Sequence, residues 1–115
     1  MSILDIYMAK PDNLQGALDV LVMKTLCRGA QHGFAIAAEI QQSSDDVLKV
    51  EAGSLYPALH RMTEAGLLKA VWRTSTAGRK ARYYELTSKG RRRLTESEKR
   101  WHEVAAAVAR VLRTA

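Results

Sequence analysis

The sequence predicts a mainly α-helical fold with one small β-hairpin, and three observations carry this prediction. Apolar residues recur at helical spacing in three segments before Gly66. Two alternating segments then flank a short glycine-containing loop, which is the pattern of a hairpin. From Ser88 onward, apolar positions at alternating spacings of three and four predict one long helix. This order of elements is that of a winged helix-turn-helix followed by a long C-terminal helix.

The length of the chain, 115 residues, is that of one domain. We expect residues 1–87 to form the winged-helix unit with an N-terminal arm, and residues 88–115 to form the terminal helix of the same compact unit. No apolar run approaches the roughly 20 residues needed to span a bilayer. The N-terminus has neither the basic leader nor the apolar stretch of a signal peptide. The sequence therefore predicts a cytoplasmic protein without a membrane partner.

Basic residues are concentrated in the second half of the chain, although the net charge is only +6. Residues 1–50 contain 4 Lys and Arg against 6 Asp and Glu, whereas residues 51–115 contain 14 against 6. Between Lys69 and Arg93 there are nine basic residues and a single acid, Glu85. Such a cluster suits a polyanion and its phosphates. On charge alone, a solvated basic surface remains the alternative.

The first two helices are expected at Leu14–Arg28 and Gly33–Gln42. A Pro-Asp-Asn start precedes the first helix and Gly29 ends it, and Cys27 is expected to be a small buried hydrophobe within it. After a polar turn, the extended segment Val47–Val50 is a candidate to pair with the later strands. The second helix is expected to bury Phe34, Ile36, Ala37 and Ile40.

The third helix is expected between Glu51 and Ala65, and it has two distinct faces. Pro57 must lie near its start, where a missing amide hydrogen costs little, which makes Ser54 a candidate N-cap. A start nearer Glu51 is the alternative. The buried stripe is expected to contain Leu55, Ala58, Leu59, Met62 and Ala65. The opposite face contains Ser54, Tyr56, Pro57, His60, Arg61 and Glu64.

The hairpin is expected to consist of strands at Leu67–Thr74 and Arg82–Thr87, joined by a loop with a basic tip. Trp72 on the first strand is interpreted as a packing residue. Side chains alternate along a strand. On the second strand this alternation directs Tyr84 and Leu86 inward, and Tyr83 and Glu85 outward.

The terminal helix carries a heptad seam that is longer than the domain can cover. Its positions are Leu94, Ser97, Trp101, Val104, Val108, Val111 and Ala115, with Leu112 beside them. About 26 residues would extend roughly 39 Å, so most of the far half is expected to need a partner chain. The alternative is that the helix folds back on the first helix of its own chain. The N-terminal arm is expected to help cover the seam with Ile3, Leu4, Ile6, Tyr7 and Met8.

Five segments together resemble the PadR-like transcriptional regulators over nearly the whole chain. They are Leu14–Leu21, His32–Ala37, Gly53–Met62, Ala81–Thr87 and Gly90–Arg91. The single helix after the hairpin is similar to the short branch of the family, which dimerises through that helix. There are two departures near the hairpin. Gly66-Leu67-Leu68 replaces a glycine followed by tryptophan, and Val71-Trp72-Arg73 replaces an acid-tryptophan-glycine sequence.

The resemblance implies that residues 54–61 enter the major groove of double-stranded DNA, and that the hairpin, or wing, lies along the neighbouring backbone. His60 and Arg61 would reach base edges. Ser54 and Tyr56, beside Pro57 near the helix start, would hold phosphates. Nonspecific charge neutralisation would come from Arg73, Arg79, Lys80 and Arg82. For Tyr56 the alternative is core packing beside Leu55 and Leu59.

The resemblance also implies a homodimer. Its interface would contain Leu94, Trp101, Val104, Val108, Val111 and Leu112. Trp101, in the middle of the seam, is similar to a tryptophan that stacks planar aromatic ligands in some short members of the family. The alternative is that Trp101 only fills the dimer seam.

No pattern in the sequence indicates an enzyme or a cofactor. His32, His60 and His102 are scattered without metal-ligand spacing, so a zinc site is not expected. No catalytic triad, carboxylate pair or phosphate-binding glycine loop can be defended. The predicted function is a homodimeric DNA-binding regulator, a repressor on an inverted-repeat operator, with a small aromatic ligand as candidate effector. The alternative is a winged-helix module that binds RNA or a protein partner.

Overall fold

The computed structural model describes residues 11–114, with side chains described from Gly16 onward. Its elements, in chain order, are α1 (Pro11–Leu26), β1 (Gln31–His32), α2 (Gly33–Ser43), α3 (Ala52–Glu64), β2 (Leu68–Thr74), β3 (Lys80–Leu86) and α4 (Ser88–Arg113). The predicted winged-helix order, with three helices, a hairpin and a long helix that begins at Ser88, is confirmed. The expected covering of the seam by residues 3–8 falls outside the described residues.

One apolar cluster holds all four helices and the hairpin together. Its buried members are Val22, Met23 and Leu26 of α1, Ile36 and Ile40 of α2, Leu55, Ala58, Leu59 and Met62 of α3, Leu67, Leu68 and Tyr84 in and beside the hairpin, and Leu94 of α4. The stripe predicted for the third helix is therefore confirmed at four positions. Its fifth position, Ala65, is exposed because α3 has already ended at Glu64.

The sheet has three antiparallel strands in the order β1-β3-β2. Its third strand is Gln31–His32, so the prediction that Val47–Val50 would pair with the hairpin was wrong. The backbone amide of Leu48 instead donates to Ser44 Oγ (3.0 Å), which ties this segment to the end of α2. Asp45 and Asp46 turn the chain there with positive φ angles of 51° and 65°.

Phe34 and Cys27 were also expected to be buried, and both are exposed. Phe34 is 77% exposed, because Ile36 and Ile40, one turn apart, already occupy the core side of α2, and a residue two positions before Ile36 lies on the other side of a helix. Its ring stacks on His32 at a centroid distance of 6.4 Å. Cys27 is exposed because α1 ends one residue earlier.

α3 begins at Ala52 with Glu51 as its N-cap, so the alternative start near Glu51 is the one observed and Ser54 is not the cap. The helix begins early because the Leu55 amide bonds to the Glu51 carbonyl (2.9 Å). Pro57 therefore lies inside the helix. A proline there removes a single amide donor, whose acceptor would be the Gly53 carbonyl.

The hairpin register decides which side chains face the helices. On one face, cross-strand pairs run from the core toward the tip in the order Leu68 with Leu86, Ala70 with Tyr84, Trp72 with Arg82, and Thr74 with Lys80. The first two pairs reach the core, and Tyr84 is buried as predicted. The interpretation of Trp72 as a packing residue was wrong. It is 68% exposed, because the hairpin projects past the helices after the second pair.

The end of α3 and the start of α4 are bonded to each other. Lys89 Nζ donates to the Ala65 carbonyl (2.8 Å), and Thr87 Oγ1 donates to the Gly66 carbonyl (2.7 Å). Thr87 Oγ1 also accepts from the Gly90 amide (3.0 Å) and so caps α4. We call residues 65–67 and 87–90 the α3–α4 joint.

The fully buried residues of α4, Gly90 and Leu94, both lie in its first half. Leu94 is buried in the common core, so this residue of the predicted dimer seam packs within its own chain. Lys24 Nζ lies 3.2 Å from Glu98 Oε1 and links α1 to α4. Farther along, Val111 and Leu112 are exposed and Trp101 is 41% exposed. The radius of gyration of 15.6 Å exceeds the roughly 13 Å of a compact domain of this length, as a projecting helix requires.

Candidate nucleic-acid interface

One face of α3 packs on the core, and the opposite face is accessible to solvent. Because Leu55, Ala58, Leu59 and Met62 are buried, the helix cannot rotate without opening the core. Of the six residues predicted for the opposite face, five are exposed: Ser54, Tyr56, Pro57, His60 and Glu64. His60 Nε2 lies 4.0 Å from Glu64 Oε1, one turn further along the helix. This surface is rigidly held and accessible.

Arg61, the sixth residue of this face, is bonded to the scaffold. Its Nη1 lies 2.7 Å from Asp19 Oδ2 and its Nη2 lies 3.0 Å from Asp19 Oδ1. Asp19 is on α1, and its side chain is only 17% exposed. A paired guanidinium–carboxylate contact of this kind is strong and directional. It fastens α3 to α1, so contact with a base would require the guanidinium to leave Asp19.

Tyr56 lies at the junction of α3 with α2. Its side chain is 48% exposed, and its ring covers Gly33, where an added Cβ would lie 2.8 Å from Tyr56 Cε1 and 2.9 Å from Oη. The ring therefore packs on the first residue of α2. Helix N-termini favour anions because their first amide donors have no intrahelical partner. The Tyr56 hydroxyl thus lies where a phosphate can be held.

The residues that start α2 were not singled out by the sequence. His32 Nδ1 accepts from the Ala35 amide (3.2 Å) and caps the helix, which in a neutral ring leaves the proton on Nε2. The imidazole meets the Tyr83 ring edge-on at 5.5 Å. The only sequence signal was that His32 precedes a glycine, which does not distinguish a cap from an ordinary turn residue.

The four predicted wing cations lie in different surroundings. Arg73 is on the face of the hairpin that points away from the helices, where Nη2 lies 3.0 Å from Glu85 Oε1 and the guanidinium covers Tyr83 at 5.3 Å. Lys80 and Arg82 are on the helix-facing side, and Arg79 is at the tip. In the part of the chain that the structure describes, these three form no ion pair. They are the cations of the wing that are available to phosphates.

Other basic residues of the cluster support the fold. Lys89 belongs to the α3–α4 joint, and Arg91 Nη1 lies 3.6 Å from Cys27 Sγ. Both residues are exposed and their partners are neutral groups, so their positive charges remain part of the basic surface. Among the described residues, no group of three or more His, Cys, Asp or Glu side chains is placed to hold a metal ion. None of the described helices is long and apolar enough to cross a membrane.

Comparisons with known proteins agree with this geometry. Residues 22–96 match the model of the transcriptional regulator PadR-like family. A PadR family transcriptional regulator from Eggerthella lenta has a similar structure, with a TM-score of 0.71 and 31% identity over 96% of each chain. A PadR-like transcriptional regulator from Bacillus cereus is similar with a TM-score of 0.75 and 26% identity, over 90% of this chain and 99% of that one. Transcriptional regulator Rv3488 of Mycobacterium tuberculosis is 36% identical over 77 residues, which are 67% of this chain and 68% of the relative.

Proposed function

The chain belongs to the PadR-like family of transcriptional regulators, and from this premise we propose that it is a homodimeric repressor that binds an inverted-repeat operator. Membership makes it a DNA-binding regulator and not an enzyme. One observation carries the proposal. The exposed face of α3 stands beside a wing whose three unpaired cations face the same side of the sheet or its tip. A regulator of this kind acts where the chromosome is, so we propose a cytoplasmic location.

The proposed interface divides into residues that read bases and residues that hold the backbone. His60, exposed in the second half of α3, is placed to meet base edges. Ser54 and Tyr56, beside Pro57 near the helix start, hold phosphates. Arg79, Lys80 and Arg82 neutralise the neighbouring backbone, with a smaller contribution from Arg73 because Glu85 offsets its charge. Arg61 contributes by keeping α3 on α1, and reads a base only in a complex that displaces Asp19.

Dimerisation is proposed through the far half of α4. The proposed interface follows Leu94, the last buried residue of α4. Val104 and Val108 are half-buried in the single chain, and Trp101, Val111 and Leu112 are exposed. A two-fold pair of these helices presents two copies of α3, and an inverted repeat matches that symmetry when its half-sites are one helical turn apart, about 34 to 36 Å. Leu94 is left out of this interface because it packs within its own core.

The first prediction separates reading from holding. Operator duplexes of about 30 base pairs, enough for two half-sites, are selected from a randomised library, and a random duplex of equal length serves as reference. His60→Ala is expected to weaken the selected duplex by about 1 to 3 kcal/mol and the random one much less. Lys80→Ala is expected to weaken both equally and to reduce the salt slope by up to about 0.9. Fluorescence anisotropy at several stated salt concentrations measures both effects.

Two controls belong to this experiment. Asp19→Ala and Arg61→Ala should lower thermal stability non-additively, because both variants break the same contact. Structured RNA is titrated as a competitor. If structured RNA binds more tightly than every duplex, the RNA-binding alternative is favoured. If His60→Ala weakens the selected and the random duplex by the same factor, as Lys80→Ala is expected to do, the proposed division of roles is wrong.

The second prediction concerns an effector. We propose that Trp101 and its symmetry mate line a site for a planar aromatic ligand, since two large rigid rings across a two-fold axis stack on each other or on an inserted molecule. Only a ligand that prefers the DNA-incompetent form releases the operator. In a Trp72→Phe background Trp101 is the sole tryptophan, and a panel of planar aromatic compounds is expected to quench its fluorescence. No quenching, together with a dimer structure in which the indoles touch, would make Trp101 a seam residue only.

A further inference from the structure

Trp72 is the most exposed aromatic side chain of the hairpin, and its position is defined by the strand register. It stands opposite Arg82, between the pair of half-buried Ala70 with buried Tyr84 and the outer pair of Thr74 with Lys80. With 68% of the side chain exposed, about 100 to 170 Å² of indole surface remains in contact with water. No described residue of the core covers it.

The face on which Trp72 lies is the face that meets α3. Side chains alternate across a sheet, and this face contributes Leu68 and Tyr84 to the same core that holds α3. α3 also contacts β2 directly. Trp72 therefore projects over the space beside the exposed face of α3, where the wing and the helix form the two sides of one surface.

The neighbours of the indole are cationic. Arg82 is its directly opposed cross-strand partner, and the Arg82 guanidinium lies 5.8 Å from the Tyr84 ring. Lys80 follows two residues away on the same face. A single exposed apolar side chain is common on protein surfaces. A large aromatic ring flanked by two cations, however, is complementary to a ligand in which apolar and anionic groups alternate. The DNA backbone is such a ligand, because apolar deoxyribose alternates with anionic phosphate along it.

We propose that Trp72 is a DNA-contacting residue whose indole packs against deoxyribose at the wall of the groove beside α3, while Arg82 and Lys80 bind the adjacent phosphates. The proposal rests on the proposed function, since it requires that the wing lies along DNA. It assigns to the wing an apolar contact in addition to its charge. Such a contact is independent of sequence and releases no counterions, so it differs from the phosphate contacts in its response to salt.

Trp72→Ala is expected to weaken binding to the selected and the random duplex alike by about tenfold, which equals 1.4 kcal/mol. The slope of log affinity against log salt should stay that of the unmodified protein. Arg82→Ala, the matched variant on the opposed strand, should instead lower that slope by up to about 0.9. Trp72→Phe, which keeps a ring, should recover most of the affinity lost in Trp72→Ala.

A direct readout uses Trp101→Phe, which leaves Trp72 as the only tryptophan. Adding random duplex is expected to protect Trp72 from quenching by acrylamide. Unchanged quenching, together with unchanged affinity of Trp72→Ala, would overturn the proposal. So would an altered oligomeric state of Trp72→Ala in sedimentation without DNA, because the ring would then contact a second copy. If the unmodified protein binds no duplex, the proposed function fails as well, and this outcome is distinct from a protein that binds DNA but leaves Trp72 exposed.

Discussion

Replacing Val104 and Val108 together by glutamate is expected to convert the protein to monomers and to lower operator affinity by about 100-fold or more. Both side chains lie on the α4 seam and are half-buried in the single chain. In a dimer each glutamate would place a carboxylate in an apolar contact, which costs several kcal/mol per unpaired charge. Loss of the dimer removes the high effective concentration with which the second α3 meets its half-site.

Sedimentation velocity at micromolar concentration measures the first effect, and anisotropy with the selected operator measures the second. Ala106→Glu is the matched control. Ala106 is an exposed residue on the same turn but away from the seam, so this variant should remain dimeric and bind the operator. A monomeric unmodified protein at micromolar concentration would refute dimerisation through α4, and so would a dimer that survives both glutamates.

Gly90→Ala is expected to destabilise the fold by about 3 kcal/mol. A Cβ at this position would overlap the Leu67 carbonyl and lie 2.6 Å from Leu86 Cδ1. The first of these atoms belongs to the backbone, so relief requires that α4 moves away from the turn after α3. Overpacking of a fixed site typically costs about 1 to 3 kcal/mol, and a backbone clash places this variant at the upper end.

Gly16→Ala is expected to have the opposite effect on the stability of the fold. Gly16 lies within α1, and a Cβ there would meet nothing within 4 Å. Alanine is favoured over glycine inside a helix by about 0.5 to 1 kcal/mol, so this variant should be slightly more stable. Urea unfolding followed by circular dichroism compares the two free energies of unfolding. Equal stability of Gly90→Ala and the unmodified protein would mean that the α3–α4 joint is looser than the structure indicates.

The elements that sequence predicted well are those with a repeated pattern. α3 shows four buried residues at helical spacing, and α4 continues one pattern over 26 residues. Each helix is therefore predicted by several positions independently. β1 has only two residues, which are too few to show the alternating pattern of a strand. The prediction for Val47–Val50 was wrong because the segment is as apolar as a strand, yet hydrogen bonds from Val47 and Leu48 to Ser44 hold its start at the end of α2, and Val50 packs on the core.

The sequence predicted those site residues whose exposure follows from a local helical or strand pattern. The exposed face of α3 follows from its period, and His60 is exposed as expected. That Arg61 is held by Asp19, 42 residues away in sequence, depends on how α1 crosses α3. Alternation predicted the inward side of the hairpin but not where the core ends, so the exposure of Trp72 was missed. The exposure of Phe34 was also missed, because the apolar residues of α2, a helix of 11 residues, lie on more than one of its faces.

The α3–α4 joint couples the orientation of α4 to that of the DNA-binding domain. Hydrogen bonds from Thr87 Oγ1 to the Gly66 carbonyl and from Lys89 Nζ to the Ala65 carbonyl, together with the close approach of Gly90 to Leu67, fix the first turn of α4 to the end of α3. A rigid helix of about 39 Å converts a tilt of about 5° into a displacement of about 3 Å between its two ends. In the proposed dimer, a molecule that tilted each α4 by this angle would displace each α3 by a comparable distance, almost one base-pair step of about 3.4 Å. Under the proposed function, the half-site spacing that the protein recognises would therefore be set by contacts in α4, at the opposite end of the molecule from the residues proposed to read bases.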